Sequence, residues 1–106
     1  MKYIKLILLD DDNNVFVFSE RNRLVLPYAP IPARKKQDIV AEEHARELGF
    51  DNISLQPAGQ GEHKNEYFTA RVDRLDRPDY KWIDPNKISH EVDRIAINIT
   101  RGKIIK

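Results

Sequence analysis

Hydrophobic positions in this chain fall in short runs separated by clusters of Asp, Asn, Pro and Arg. Residues 3–9 (YIKLILL) are rich in β-formers and predict a strand. Asp10-Asp11-Asp12-Asn13-Asn14 follows, and short polar side chains of this kind tolerate tight backbone geometry, so a turn is expected. Residues 15–18 (VFVF) predict a second strand, and with the first a hairpin. Arg21-Asn22-Arg23 is a second polar connection, before a third short strand at Leu24-Val25-Leu26 that Pro27 stops. Pro27, Pro30 and Pro32 remove backbone donors and favour extended geometry, which predicts an irregular loop over residues 27–35.

The pattern then changes period. Residues 36–48 lack Pro and Gly, are dense in Ala, Glu, Arg and Leu, and predict a helix. On a helical wheel Ala41, Ala45 and Leu48 form a narrow apolar stripe. Glu43 and Glu47 are four apart and share a different face, with Ile39 nearer to them than to the stripe. Gly49 fits the C-terminal cap, and Phe50 closes that end hydrophobically. Residues 52–55 predict another extended segment, and residues 57–61 (PAGQG) a flexible stretch. EYFTARV, residues 66–72, reads as a strand. Residues 73–79 read as a charged loop, residues 80–83 as a short extended piece, and Asp84-Pro85-Asn86 as a turn. Val92, Ile95 and Ile99 recur at helical spacing and predict a second helix over residues 91–100, ended by Gly102 and followed by a basic tail.

Composition narrows the function classes. The chain has 106 residues, enough for one domain, expected over residues 1–106, with one modest core. Eighteen basic and 17 acidic residues leave a net charge of +1, which argues against a nucleic-acid or anionic-membrane partner. The absence of cysteine excludes disulfides, thiolate metal sites and cysteine nucleophiles, and fits a reducing, cytoplasmic setting. The N-terminal apolar run is broken by Lys5 and ends in three aspartates, so it reads as a strand rather than a signal peptide. No run approaches the ~20 apolar residues that a membrane helix requires. Ser19, Ser54 and Ser89 lack a nucleophile-elbow context, and Gly59-Gln60-Gly61 lacks the helix and lysine of a phosphate loop.

Strands, then Leu26-Pro27, a loop, a carboxylate-rich helix and Gly49-Phe50: this order resembles the Nudix hydrolase family. Gly49-Phe50 matches the end of that family's box, Glu43 the glutamate after the box arginine, and Glu47 the second of its paired glutamates. Residues 81–88 (KWIDPNKI) are similar to the family's late Trp-hydrophobe segment before the final helix. Other box positions depart. Tyr28 and Ala29 stand where paired glycines are usual, Arg34 at the first glutamate, Glu42 at the arginine, His44 at a hydrophobe, and Arg46 at the first paired glutamate.

The resemblance implies an α+β fold: a Nudix-like α/β/α sandwich with a small mixed sheet, the box helix on one face and the C-terminal helix on the other. It also implies roles. Glu43 and Glu47, as the remaining catalytic pair, would hold Mg²⁺ or Mn²⁺ if the chain is active; carboxylates at i and i+4 can share such an ion, which neutralises a diphosphate and activates water. Arg46 beside them weakens divalent binding and is expected to pair with Glu42 or a carboxylate one turn away. Arg34 replaces an acid with a guanidinium suited to phosphate. Tyr28 would face the family's nucleotide cleft, either stacking on a base or filling the space. Trp82 is expected in core or rim packing, with base stacking as the alternative. His44, flanking the apolar stripe, is expected to be half-buried and hydrogen-bonded. Glu62 and Glu66 are candidate general bases. Solvated helix carboxylates and a solvated basic loop at Arg34, Lys35 and Lys36 are the plain alternatives to these roles.

Three functions follow. The first is a divergent Nudix-fold protein that binds a nucleotide or other phosphorylated ligand with weak or absent hydrolysis. The second is an active Mg/Mn-dependent hydrolase of nucleoside-diphosphate derivatives. The third is a module that uses the scaffold to bind a protein partner.

Overall fold

The computed structural model describes residues 2–60, 65–88 and 97. Seven strands and one α-helix lie among them: β1 (Tyr3–Leu9), β2 (Val15–Glu20), β3 (Arg23–Val25), β4 (Tyr28–Pro30), α1 (Gln37–Glu47), β5 (Gln56–Gln60), β6 (Glu66–Arg71) and β7 (Tyr80–Ile83). A 3₁₀ turn at Pro85–Lys87 follows, begun by the Asp84 carboxylate accepting from the Asn86 amide at 2.9 Å.

β1 is the axis of the mixed sheet. It pairs in parallel with β6 from Ile4↔Glu66 to Leu9↔Arg71. Its other edge is shared: Tyr3, Ile4 and Lys5 pair antiparallel with β4, and Leu9 pairs with Val15 of β2. β2 in turn carries β3 at its far end and β7 along its second edge. The sheet therefore forks where β1 passes from β4 to β2.

The expected hairpin of the first two strands is present, and Asp10 shapes its turn. One carboxylate oxygen accepts from the amides of Asp12 and Asn14, each at 2.9 Å, and Asn13 takes φ 61°. Asparagine adopts this left-handed conformation more readily than most residues. The Arg21-Asn22 turn also has positive φ at both residues, 50° and 65°, which suits the twist of a two-residue hairpin.

Three expectations are corrected. Residues 27–35 are not wholly irregular, because Tyr28–Pro30 forms β4. The prolines leave enough donors for the segment to pair: the Ile31 amide donates to the Lys2 carbonyl, and the Leu6 amide donates to that of Pro27. Of residues 57–61, expected to be flexible, 57–60 lie in β5, whereas residues 52–55, expected to be extended, are not a strand. β5 ends the strand order and pairs only with β6 among the described strands, so Pro57 withholds no donor that an interior ladder needs. A bulge between Pro57 and Gly59 absorbs the irregularity, with Gly59 at φ 104°.

β1 is buried on both faces, which explains why its sequence is a nearly unbroken apolar run. Ile4, Leu6 and Leu8 join Phe16, Phe68 and the Val40, Ala41, Ala45 and Leu48 face of α1. Ile7 and Leu9 join Val15, Val17, Leu26 and Tyr67 on the opposite side, closed by Ile88 and Ile97. Ile97 is helical, but the remainder of the helix expected over residues 91–100 lies outside the described residues.

Candidate functional site: the exposed face of α1

α1 is anchored by its apolar stripe and by a Schellman-type end. The Gly49 amide donates to the Arg46 carbonyl and the Phe50 amide to that of Ala45, both at 3.0 Å. Gly49 has φ 104°, a conformation that favours glycine. Arg77 reaches back to donate to the carbonyls of Glu47 (3.3 Å) and Leu48 (2.8 Å), placing a cation at the negative end of the helix dipole.

This anchoring leaves Glu43 and Glu47 on the outer side. The Glu43 side chain is 46% exposed and ion-paired to Lys35, with Nζ 2.6 Å from Oε2. That of Glu47 is 77% exposed, 3.6 Å from Nδ1 of His44. The His44 side chain is only 18% exposed. Burial lowers its pKa and outweighs the Glu47 carboxylate, which pulls the other way. Arg46 forms neither of the expected ion pairs; among the described residues no carboxylate lies within bridging distance of it. It lines a hollow of about 130 Å³ with Glu42, Phe50, Asn52 and Ile53. Neither Glu43 nor Glu47 lines this hollow.

Arg34 is exposed, at the third position of a turn closed by the Lys35 amide on the Pro32 carbonyl at 3.2 Å. Its φ of 69° is unusual for arginine. Tyr28 is 36% exposed, and its ring packs edge-on against Tyr3 and tilted against Phe18. Its hydroxyl donates to Glu20 at 2.7 Å; that bond, and then burial, raise its pKa. Trp82 is half-buried, donating to the Leu75 carbonyl at 3.2 Å and packing on Phe16 and Phe50. Glu66 is half-buried at the start of β6; Glu62 lies outside the described residues.

Sequence reasoning missed a second polar centre. Asp10 is 2% exposed, and its carboxylate also accepts from Arg74, while Arg71 donates to its backbone carbonyl. Burial raises the Asp10 pKa, but Arg74 and the Asn14 and Asp12 amides together outweigh it and hold the carboxyl below its usual range. The Asp-x-Asp-Asn-Asn spacing gave a signal for the turn, but nothing local signalled Arg71 or Arg74, more than sixty positions away.

Among the described residues, the donor set around Glu43 and Glu47 does not fit a divalent metal. Among the described residues no group of three His, Asp or Glu could hold one. A second cation ~4 Å from a divalent ion costs about 2 kcal/mol even at the dielectric of water. Lys35 already contacts Glu43, and Arg46 projects about 60° around the helix from it.

No family model and no curated protein matches the chain by sequence. Solved structures do match by fold. The chain is similar to the C-terminal domain of mouse MUTYH, solved in complex with human PCNA, with a TM-score of 0.75 and 9% identity over 99% of this chain and 90% of that one. It is similar to a candidate Nudix hydrolase from Listeria monocytogenes, with a TM-score of 0.69 and 8% identity over 99% and 94%. It is also similar to the Nudix domain of Shewanella oneidensis NrtR, solved with ADP ribose, with a TM-score of 0.60 and 11% identity over 98% and 88%. The chain has a Nudix-like α+β fold. At these identities the likeness carries the fold and not the chemistry.

Proposed function

We propose that the chain, as a single domain over residues 1–106 acting in the cytoplasm, binds a nucleotide or other phosphorylated ligand, with weak or absent hydrolysis. The observation that carries this reading is the Lys35–Glu43 ion pair on the box helix, joined by Arg34 and Arg46 at two positions where the resembled box has acids. A face arranged in this way recognises phosphate through ammonium and guanidinium groups, with no metal needed to bridge two sets of anions. Tyr28 and Trp82 supply ring surface for a base.

The ADP ribose bound by the NrtR domain makes a sugar diphosphate nucleotide the first ligand to try. In thermal-shift assays with excess chelator, ADP-ribose or a nucleoside di- or triphosphate should raise the melting temperature, and Arg34→Ala/Arg46→Ala should remove the rise. No shift from any of these ligands at millimolar concentration would sink the reading. One observation favours a protein partner as the second reading. The hollow beside Arg46, at about 130 Å³, is below the roughly 300–1,000 Å³ of a typical small-molecule pocket. The MUTYH domain was solved bound to a protein, which makes pull-down the next experiment if the ligands fail.

A further inference from the structure

We infer that Lys35 is a built-in counter-ion of the box helix: its ammonium holds Glu43 in place of a divalent metal and, with Arg46, makes this face refractory to Mg²⁺ and Mn²⁺. The inference deepens the metal independence of the reading above and rests on it only there; it does not depend on which ligand is bound.

The geometry is local. The Pro32–Lys35 turn sets Lys35 just before α1, and its side chain spans to Glu43, two helical turns along, with Nζ 2.6 Å from Oε2. A metal ion shared by Glu43 and Glu47 would have to displace this ammonium or sit beside it. Arg46 follows Glu43 by three positions, about 60° around α1, and lines the neighbouring hollow with Glu42, so a second cation stands along the same helix and weakens its attraction for a dication. Lys35 and Glu43 are both partly exposed, so the pair itself is weak. An exposed site with two carboxylates is also a weak metal site, and a modest competitor is enough to decide it.

The test is Mn²⁺ titration of the whole chain by calorimetry and electron paramagnetic resonance, without substrate. The wild type should show no binding at millimolar metal. Lys35→Gln and Arg46→Glu should each tighten binding, and the double variant should gain roughly tenfold or more per cation removed. Adding Glu43→Gln to the double variant should abolish the gain. Melting curves check that each variant folds, and Lys35→Ala provides a parallel substitution. Submillimolar Mn²⁺ binding by the wild type that Glu43→Gln removes would overturn the inference. So would a double variant no tighter than wild type, or a gain that survives loss of Glu43. Phosphate-ligand shifts measured in chelator can fail without touching this result, and this titration can fail without touching them.

Discussion

His44 shows how one residue can be legible in outline and not in consequence. Its place beside the Ala41, Ala45 and Leu48 stripe predicted a half-buried histidine, and its side chain is 18% exposed. Burial lowers its pKa from 6.5, with Glu47 opposing less strongly. The unfolded chain therefore binds the proton more readily than the folded one. The stability His44 contributes is full above about pH 6.5 and is lost as pH falls through the lower, folded value. Urea unfolding midpoints should decline between about pH 7 and pH 5, and His44→Leu should flatten that decline. An unchanged slope in the variant would assign it to other groups. Asp10 is not such a group in this window: its lowered pKa keeps it ionised there, and it loses its contribution only at more acid pH.

At the scale of elements, the end of α1 depends on one glycine and on a loop distant in sequence. A Cβ at Gly49 would meet Cδ2 of Leu75 at 2.7 Å, in a backbone conformation with φ 104° that L side chains rarely adopt. Gly49→Ala should therefore cost about 2 kcal/mol or more, read by chemical denaturation, from left-handed strain plus displacement of Leu75. A loss below about 0.5 kcal/mol, within the usual range of surface substitutions, would show that the Leu75 contact yields freely. The sequence located the capping glycine through the Gly-hydrophobe step. It did not show that Leu75, Arg77 and Trp82 come together around that cap. β4 and β5 carry the same lesson in reverse. Prolines at positions 30 and 57 read locally as breakers, yet both lie in short strands that demand few donors of them.

At the scale of the whole molecule, β1 joins two cores on opposite faces of the sheet. Leu6 is fully buried in the cluster under α1, while Ile7 beside it is fully buried in the other. Leu6→Ala should cost about 2–5 kcal/mol, a large part of the roughly 5–15 kcal/mol that holds a typical domain. Trp82 fluorescence and far-UV circular dichroism should still report one shared transition, at lower denaturant. Two separated transitions would mean that the cores unfold independently. The sequence by itself determined β1, β2, β6, α1 and its cap, because apolar periodicity, turn residues and glycine act over a few neighbouring positions. It also placed Arg34 and Arg46, rather than acids, at two positions of the box that the chain resembles, since that comparison requires only side-chain types. Tertiary structure alone decided that β1 lies parallel to β6 and forks between β4 and β2. It also decided that Lys35 rather than Arg46 holds Glu43, and that two distant arginines secure Asp10. Strand partners and ion pairs depend on which groups the folded chain brings within a few ångströms, and local pattern does not specify that distance.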